Sequence, residues 1–590
     1  MSRKPFARLL WNQRHCMKLA ARLERAFALL SVALTSNIGR TLEMTTAPVS
    51  NESYPTTSSL WRICYGIGLT GVFAWALWQR FSLPLDPIVD PDFWGYLSPA
   101  LRKLTGSEFG HTQGRNFLYP GFLYLLLRAS GDFRVITIVQ HSLGLAAGGV
   151  FLLTWRRLRV FVPESLVSLR LHDGLGLVGA AIYLLAAETT RIETQLRPES
   201  VCGFLLSLNL YFTLQFIYYS FISERRTAAL VYGSASVLSL LFLASARPSF
   251  WFTAIVVMVP LAAFFVRRNW WPQKIGLAVA TVLSGMLVLW PEHVLRRNDE
   301  VSQTFLPTML FVIHADLIRD QMAADLKENA SLPFAHDWLE RLYTALNAEI
   351  VKSEIKYPGH YPSLKFDPEY LWFEPGSIST QLHREFGHNV SALCAFYRFY
   401  YWRTWRYQPL RQLQKVTTQF SIYYFPKCPA YSPMKIWPLL DSYQRAATCL
   451  HSVEDYRKIS TALPAAADFM AQTDSLAQNA PIVEQPRLVR IALTVLAVGY
   501  LPWLLAAMIL SVFIFWKSAR RKQLRWLAAF VLFGCGYNAS SCLEGAIVNS
   551  LDVHRYITVQ MYATLLTQFL ALWLILEFIL EARQHRRAVV

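Results

Sequence analysis

Residues 227–268 read TAALVYGSASVLSLLFLASARPSFWFTAIVVMVPLAAFFVRR, and they decide the class of fold. Two apolar blocks, 227–245 and 248–266, meet at Arg247-Pro248, and the second ends on Arg267-Arg268. A helix needs about 20 apolar residues to cross the ~30 Å of hydrocarbon in a bilayer. Each block supplies nearly that length without a charge, so each reads as a membrane span.

Similar blocks recur on both sides, at about 60–79, 134–154, 173–190, 200–222, 274–294, 489–516, 524–546 and 556–580. Together they give about ten spans. Hydrophobic residues make up 54% of the 590 and charged residues only 16%, a balance that excludes an ordinary soluble protein. The expected fold is an all-α polytopic membrane protein.

The formal charge of +18 raises the question of a nucleic-acid partner. The basic residues instead fall in short runs between apolar blocks: Arg156-Arg157-Leu158-Arg159, Arg225-Arg226, Arg267-Arg268, Lys517 with Arg520-Arg521-Lys522, and Arg583, Arg586 and Arg587. With about ten spans, all of these share one side with the basic start of the chain (Arg3, Lys4, Arg8, Arg14, Lys18, Arg22, Arg25). That is the positive-inside pattern. It predicts cytosolic N- and C-termini, a lipid-bilayer environment and no nucleic acid.

Four regions follow: a basic cytosolic tail at 1–58, a transmembrane core at 59–294, an extracytoplasmic, mostly helical region at 295–487, and the last spans with a cytosolic tail at 488–590. Within the third, 305–328 carries apolar residues at helical spacing, and 396–425 mixes tyrosine, tryptophan and arginine in a way that suits a helix at lipid headgroups. Segment 117–130 is too short to span, so it is placed in the interface with its tyrosines at headgroup depth. Cys394, Cys428 and Cys449 lie in the polar region, where one disulfide is open to them. No Cys or His spacing typical of a metal site occurs.

The chemistry-bearing residues gather where the chain leaves its spans on the side opposite the basic runs. The first outer loop, 86–121, reads DPIVDPDFWGYLSPALRKLTGSEFGHTQGRNFLYPG. A helix over 92–103 places Asp92 and Tyr96 on one face, where a carboxylate can take a proton from an acceptor hydroxyl. Asp90 or Asp92 after Pro91 serves equally as a helix cap. On the same side stand Glu193-x-x-x-Arg197-Pro198-Glu199, Arg247-Pro248 and Asp552-x-His554-Arg555-Tyr556. Arginine forks bind phosphate, but they also pair with carboxylates or snorkel to headgroups.

This order of features resembles the GT-C superfamily of integral-membrane glycosyltransferases, the class of the protein O-mannosyltransferases and lipid A aminoarabinose transferases. The resemblance rests on Asp92-Phe-Trp-Gly-Tyr96, Arg115-Asn-Phe-Leu-Tyr119-Pro120-Gly121, Arg197-Pro-Glu199, Arg247-Pro248 and His554-Arg555-Tyr556. It covers about 60–294 and 489–580. It implies inverting transfer of a sugar from a polyprenyl-phosphate donor to an extracytoplasmic acceptor, in a bacterial inner membrane, without cofactor or metal. Asp92 is then the general base, with Asp90 as substitute because Phe93 stands where the mannosyltransferases have a second acidic residue. Tyr96, Arg115, Tyr119, Arg197, Glu199, Arg247, His554 and Arg555 are the expected substrate and phosphate contacts. Two other readings stay open: an O-antigen-type polymerase or ligase using His314, Asp316, Arg319 or His383-Arg384, and a transporter.

Overall fold

The structure is a computed structural model that describes residues 59–589 apart from 110, 111, 113, 267–269, 298, 388 and 518–521. Among the described residues nine helices are long and apolar enough to cross a membrane. They are Ser59–Phe81, Arg134–Arg159, Glu199–Phe221, Arg226–Ala246, Pro248–Val266, Trp271–Arg297, Arg487–Trp516, Leu524–Val548 and Met561–Gln584. The block expected at 173–190 is bent: Leu169–Leu185 gives way to Ala187–Thr194 at 47°. A second bent pair, Glu300–Ile313 and Ala315–Lys327 at 76°, replaces the continuous helix expected over 305–328. The chain is thus an all-α multi-pass membrane protein whose described residues offer nine candidate spans, or up to eleven with both bent pairs. Its contacts divide it at Arg62/Ile63, and the 1–58 tail lies outside the described residues.

The break at Ala186 has local causes. Its backbone is extended, with ψ at 130°. A broken helix leaves carbonyls without partners, a heavy cost inside a bilayer. Here the Thr189 hydroxyl lies 3.0 Å from the Tyr183 carbonyl and 2.7 Å from that of Ala186. Arg80 Nη1 donates to the Leu184 carbonyl at 2.7 Å.

The two ends of the bundle differ in chemistry. At one end arginines lie over aromatic rings, a cation–π geometry. Arg156 sits 5.0 Å from the Tyr65 ring, Arg157 3.6 Å from Tyr218 and Arg226 5.6 Å from Trp270. These belong to the basic runs read from sequence; Arg267, Arg268, Arg520 and Arg521 lie outside the described residues. At the other end emerge the carboxylates and arginines of loop 86–121 and of the span ends near 197, 247 and 555.

The 295–487 stretch is helical apart from a small antiparallel pair, Ile436–Pro438 with Ile482–Glu484. Its first half builds its own core around Phe311, Ile318, Leu346, Leu382 and Tyr397. Its second half shares the core of the bundle: Phe133 stacks on Phe469 at 4.5 Å, and Cys428 N donates to the Ala497 carbonyl at 3.0 Å. The headgroup helix expected at 396–425 is two helices, Val390–Tyr407 and Pro409–Ile422, broken at Gln408-Pro409. Tyr397 and Tyr400 are buried against Phe311 and its neighbours and Tyr401 beside His314, while Trp402 and Tyr407 are exposed. Tyr119, in the segment expected at the interface, turns inward at 2% exposure. The seven described cysteines are free thiols, so the disulfide considered among Cys394, Cys428 and Cys449 is not formed.

Candidate functional site

The loop 86–121 is shaped by its turns. The Asp90 carboxylate accepts from the Asp92 amide at 3.0 Å, an Asx turn that starts helix Phe93–Leu104. Asp92 occupies the cap position but makes no capping bond with its side chain. The carboxylate is free for other partners, and it has two. Arg115 Nη2 donates to Oδ1 at 2.8 Å, and Arg555 Nη1 donates to Oδ2 at 2.8 Å. These are charge-assisted bonds, each worth roughly 1.5–3 kcal/mol when shielded from water. The three side chains are 22–28% exposed, so water reaches them and the value lies at the low end.

Two glycines place Arg115. Gly114 has φ of +84°, the left-handed region, and a Cβ there would come within 2.4 Å of the Phe305 ring. Gly95 faces the arginine itself, and a Cβ would lie 3.1 Å from Arg115 Cγ. With that room the guanidinium settles 5.3 Å from the Tyr96 ring and 5.4 Å from Phe305. Arg115 therefore lies against both Asp92 and Tyr96, the two residues that the i, i+4 spacing placed on one face. Burial raises the Tyr96 hydroxyl well above its usual range, so it stays a hydrogen-bonding phenol.

The second constellation is joined to the first by backbone. Ile88 pairs with Gln195 in a short parallel bridge: Ile88 N donates to the Thr194 carbonyl at 2.8 Å and Leu196 N to the Ile88 carbonyl at 2.9 Å. The bridge brings Arg197 onto Asp90. Arg555 Nη1 also lies 3.9 Å from Asp90. Burial first, then the neighbouring charge of Arg555, pushes the Arg197 guanidinium down to about 10. Arg247 donates to Glu199 at 2.5 Å and to Ser249 at 3.1 Å, with the Tyr556 ring 4.8 Å away. The same ring lies 5.1 Å from Arg555, so Tyr556 sits between the two arginines.

Four guanidinium groups (Arg115, Arg197, Arg247, Arg555) thus meet three carboxylates (Asp90, Asp92, Glu199). The balance favours the cations. The Nε atoms of Arg115, Arg197 and Arg555 are buried and have no hydrogen-bond partner, and the same holds for the acceptors Asp90 Oδ2 and Glu199 Oε2. Buried donors are normally satisfied, so three in one cluster mark a place suited to an anion.

Two predicted residues differ from expectation. His554 is half exposed and stands 4.0 Å from Glu188, outside the cluster, because the chain turns away before helix Arg555–Thr558. Tyr119 touches the site only through its ring, edge-on to Tyr96 at 5.6 Å, while its hydroxyl bonds Gln140 at 2.8 Å. With the Gln140 amide turned to satisfy every neighbour, it also donates to the Glu193 and Gln195 carbonyls and accepts from Ser200. Sequence reasoning missed Gln140 and its neighbour His141, since a polar residue within an apolar block announces no partner. It also missed Arg80, which falls just beyond the first expected span. Glu193, grouped with Arg197 in the sequence, does not reach the cluster and binds Arg80 and His141 instead.

The residues of the competing readings are otherwise engaged. His314 is buried between the Ile547 carbonyl at 3.0 Å and Gln412 at 3.1 Å. Asp316 pairs with Lys415, Arg319 with Asp320, and His383 bonds its own helix at Ser379. The two described cavities also lie elsewhere: a small apolar one of about 30 Å³ beside Thr213 and Tyr537, and a groove of about 490 Å³ lined by Arg102, Glu108, Asp455 and Lys458. Among the described residues no group of three or more His, Cys, Asp or Glu side chains is arranged to hold a metal ion.

No family model matches the chain, and neither a curated protein nor a solved structure does.

Proposed function

We propose that the chain is an inverting membrane glycosyltransferase that moves a sugar from a polyprenyl-phosphate donor to a hydroxyl acceptor on the outer face, the acceptor being a glycan, lipid or protein. One observation carries the reading: Asp92 is shared by Arg115 and Arg555, 463 residues apart from its second partner, within a cluster richer in guanidinium than carboxylate. In this reading Asp92 accepts the acceptor's proton as the hydroxyl oxygen attacks the anomeric carbon. Each carboxylate oxygen has a second lone pair, so the two arginines do not exhaust it. The glycosyl C–O bond breaks toward phosphate, which departs with the bonding pair on its lipid. Arg115, Arg197 and Arg555 then face the charge that develops, the use for which fixed cations are most effective. Arg247 is held by Glu199 and orients Tyr556.

The site's place at the end of the bundle suits a lipid-borne donor, whose phosphate cannot leave the headgroup layer. The inner membrane of a bacterium, with both termini cytosolic, is the setting this proposal carries. The test is transfer from a polyprenyl-phosphate sugar by purified protein. Asp92→Asn keeps the size but puts an amide donor in place of one accepting oxygen, and it is expected to abolish transfer while the protein is made at normal level. Full transfer in that variant overturns the proposal.

A further inference from the structure

A second charged group lies deeper in the bundle, and the site as described makes no use of it. Arg80, at the end of the first span, is fully buried. Its Nε donates to Glu193 Oε2 at 2.7 Å and its Nη2 to Oε1 at 2.9 Å, the fork-to-fork geometry that fixes direction as well as distance. His141, also fully buried, bonds the same carboxylate through Nδ1 at 2.9 Å. Glu193 is 3% exposed. The carboxylate sits directly against the second span at Gly144, where a Cβ would lie 1.9 Å from Glu193 Oε1. No larger residue fits there without moving Glu193.

Ion pairs this deep are poor sources of stability, since desolvating both charges cancels most of their attraction. Their use is then to be sought in what they hold in place. Arg80 ties two pieces on either side of the break at Ala186: the Leu184 carbonyl before it and Glu193 after it. Two residues beyond Glu193 stands Gln195, the bridge partner of Ile88, and two beyond that Arg197, the partner of Asp90. Gln140, next to His141, reaches the Glu193 and Gln195 carbonyls and the Tyr119 hydroxyl. The first two spans therefore grip the 187–197 segment at one carboxylate, and that segment carries Arg197 to the first outer loop.

We infer that Arg80, His141 and Glu193 are positioning residues: they hold the segment after the span break so that its backbone pairs with Ile88 and Arg197 meets Asp90. The inference concerns the geometry of the cluster and does not depend on the sugar-transfer reading.

The test uses the full chain with Cys16, Cys64, Cys449 and Cys535 replaced by serine. Cysteines at the paired positions 88 and 195 report contact of the segment with the loop, as the yield of the disulfide under a mild oxidant. A second chain with cysteines at 253 and 540, whose native hydroxyls lie 3.2 Å apart between two other spans, reports whether the bundle is intact. Glu193→Gln leaves Arg80 buried without its counter-charge and risks misfolding. Two further variants guard against that: R80Q/E193Q, which removes both charges, and Gly144→Ala, which leaves both and displaces the carboxylate. The 88–195 disulfide is expected to fall by at least about fivefold in these variants, the low end of coupling between linked sites, with the 253–540 disulfide unchanged. An unchanged 88–195 yield overturns the inference, because the bridge then holds unaided. Loss of both disulfides overturns it too, because the group then supports the bundle and not the segment. Transfer assays on the same variants are read separately: Asp92→Asn retaining full transfer defeats the proposed function and leaves this result standing.

Discussion

The Asp92 cluster and the polar group around His314 and Asp325 have similar residue types and opposite character. In the second, Arg403 meets Asp325 through two bonds at 2.8 and 2.7 Å, and Gln321 adds a third at 2.9 Å. Both ring nitrogens of His314 have partners. The Asp92 cluster, by contrast, splits one carboxylate between two arginines and has three buried Nε donors without partners. A network most of whose members are held by the protein fixes the fold, although Gln412 Oε1, beside His314, is buried without a hydrogen-bond partner. A network with spare donors and surplus charge is prepared for a ligand. This contrast favours chemistry at the bundle end over chemistry in the 295–487 region.

Mutations break or sharpen that contrast. The largest effect is expected at Asp92: the Asn variant should lose about 10²–10⁴-fold in transfer rate, the usual worth of a positioned base, with a lower unfolding temperature in detergent from the loss of about 1.5–3 kcal/mol of charge-assisted bonding. Arg555→Gln removes one partner of Asp92 and a spare donor together. A loss of about 10²–10³-fold in kcat is expected from it, as for loss of one group facing developing charge. Arg403→Met should do the reverse. It strands a carboxylate that is 2% exposed, so it is expected to cost about 3–5 kcal/mol of stability by denaturant unfolding. Transfer per folded molecule should stay at the level of the parent. A fall in transfer without a fall in stability would make Asp325 and Arg403 part of the chemistry and erase the contrast.

The smallest effect is expected at Asp86, which marks the start of the outer loop. Burial raises its carboxyl above the ordinary range, with Arg134 at 3.4 Å opposing. A carboxyl raised on folding stabilises the protein below its unfolded-state value and loses that contribution as pH rises through the folded value. At neutral pH the ionised Asp86 is thus a mild burden. Asp86→Asn should unfold at a slightly higher temperature near pH 7, with the difference vanishing below the ordinary carboxylate range. An equal or lower unfolding temperature at pH 7 would show that Arg134 outweighs burial.

Much of the architecture was legible because its signals are local. Apolar length and the spacing of basic runs reflect the thickness of the bilayer and the cost of moving charge across it, and neither requires knowledge of what a residue touches. That Asp92 and Tyr96 share a face was readable for the same reason, since both lie within one helical turn. The span break at Ala186, the bend at His314 and the burial of Tyr397 and Tyr400 were not, because each depends on partners distant in the chain.

What the sequence alone determined is a multi-pass helical membrane protein with carboxylates and arginines at the span ends away from the basic runs. Tertiary structure alone decided which of those side chains meet. It turned Glu193 inward to Arg80 and His141, left His554 outside, and delivered Arg555 to Asp92. The physical reason is that a carboxylate takes whichever guanidinium the packing of helices brings within about 3 Å. That choice is made by contacts hundreds of residues apart, which no local pattern records.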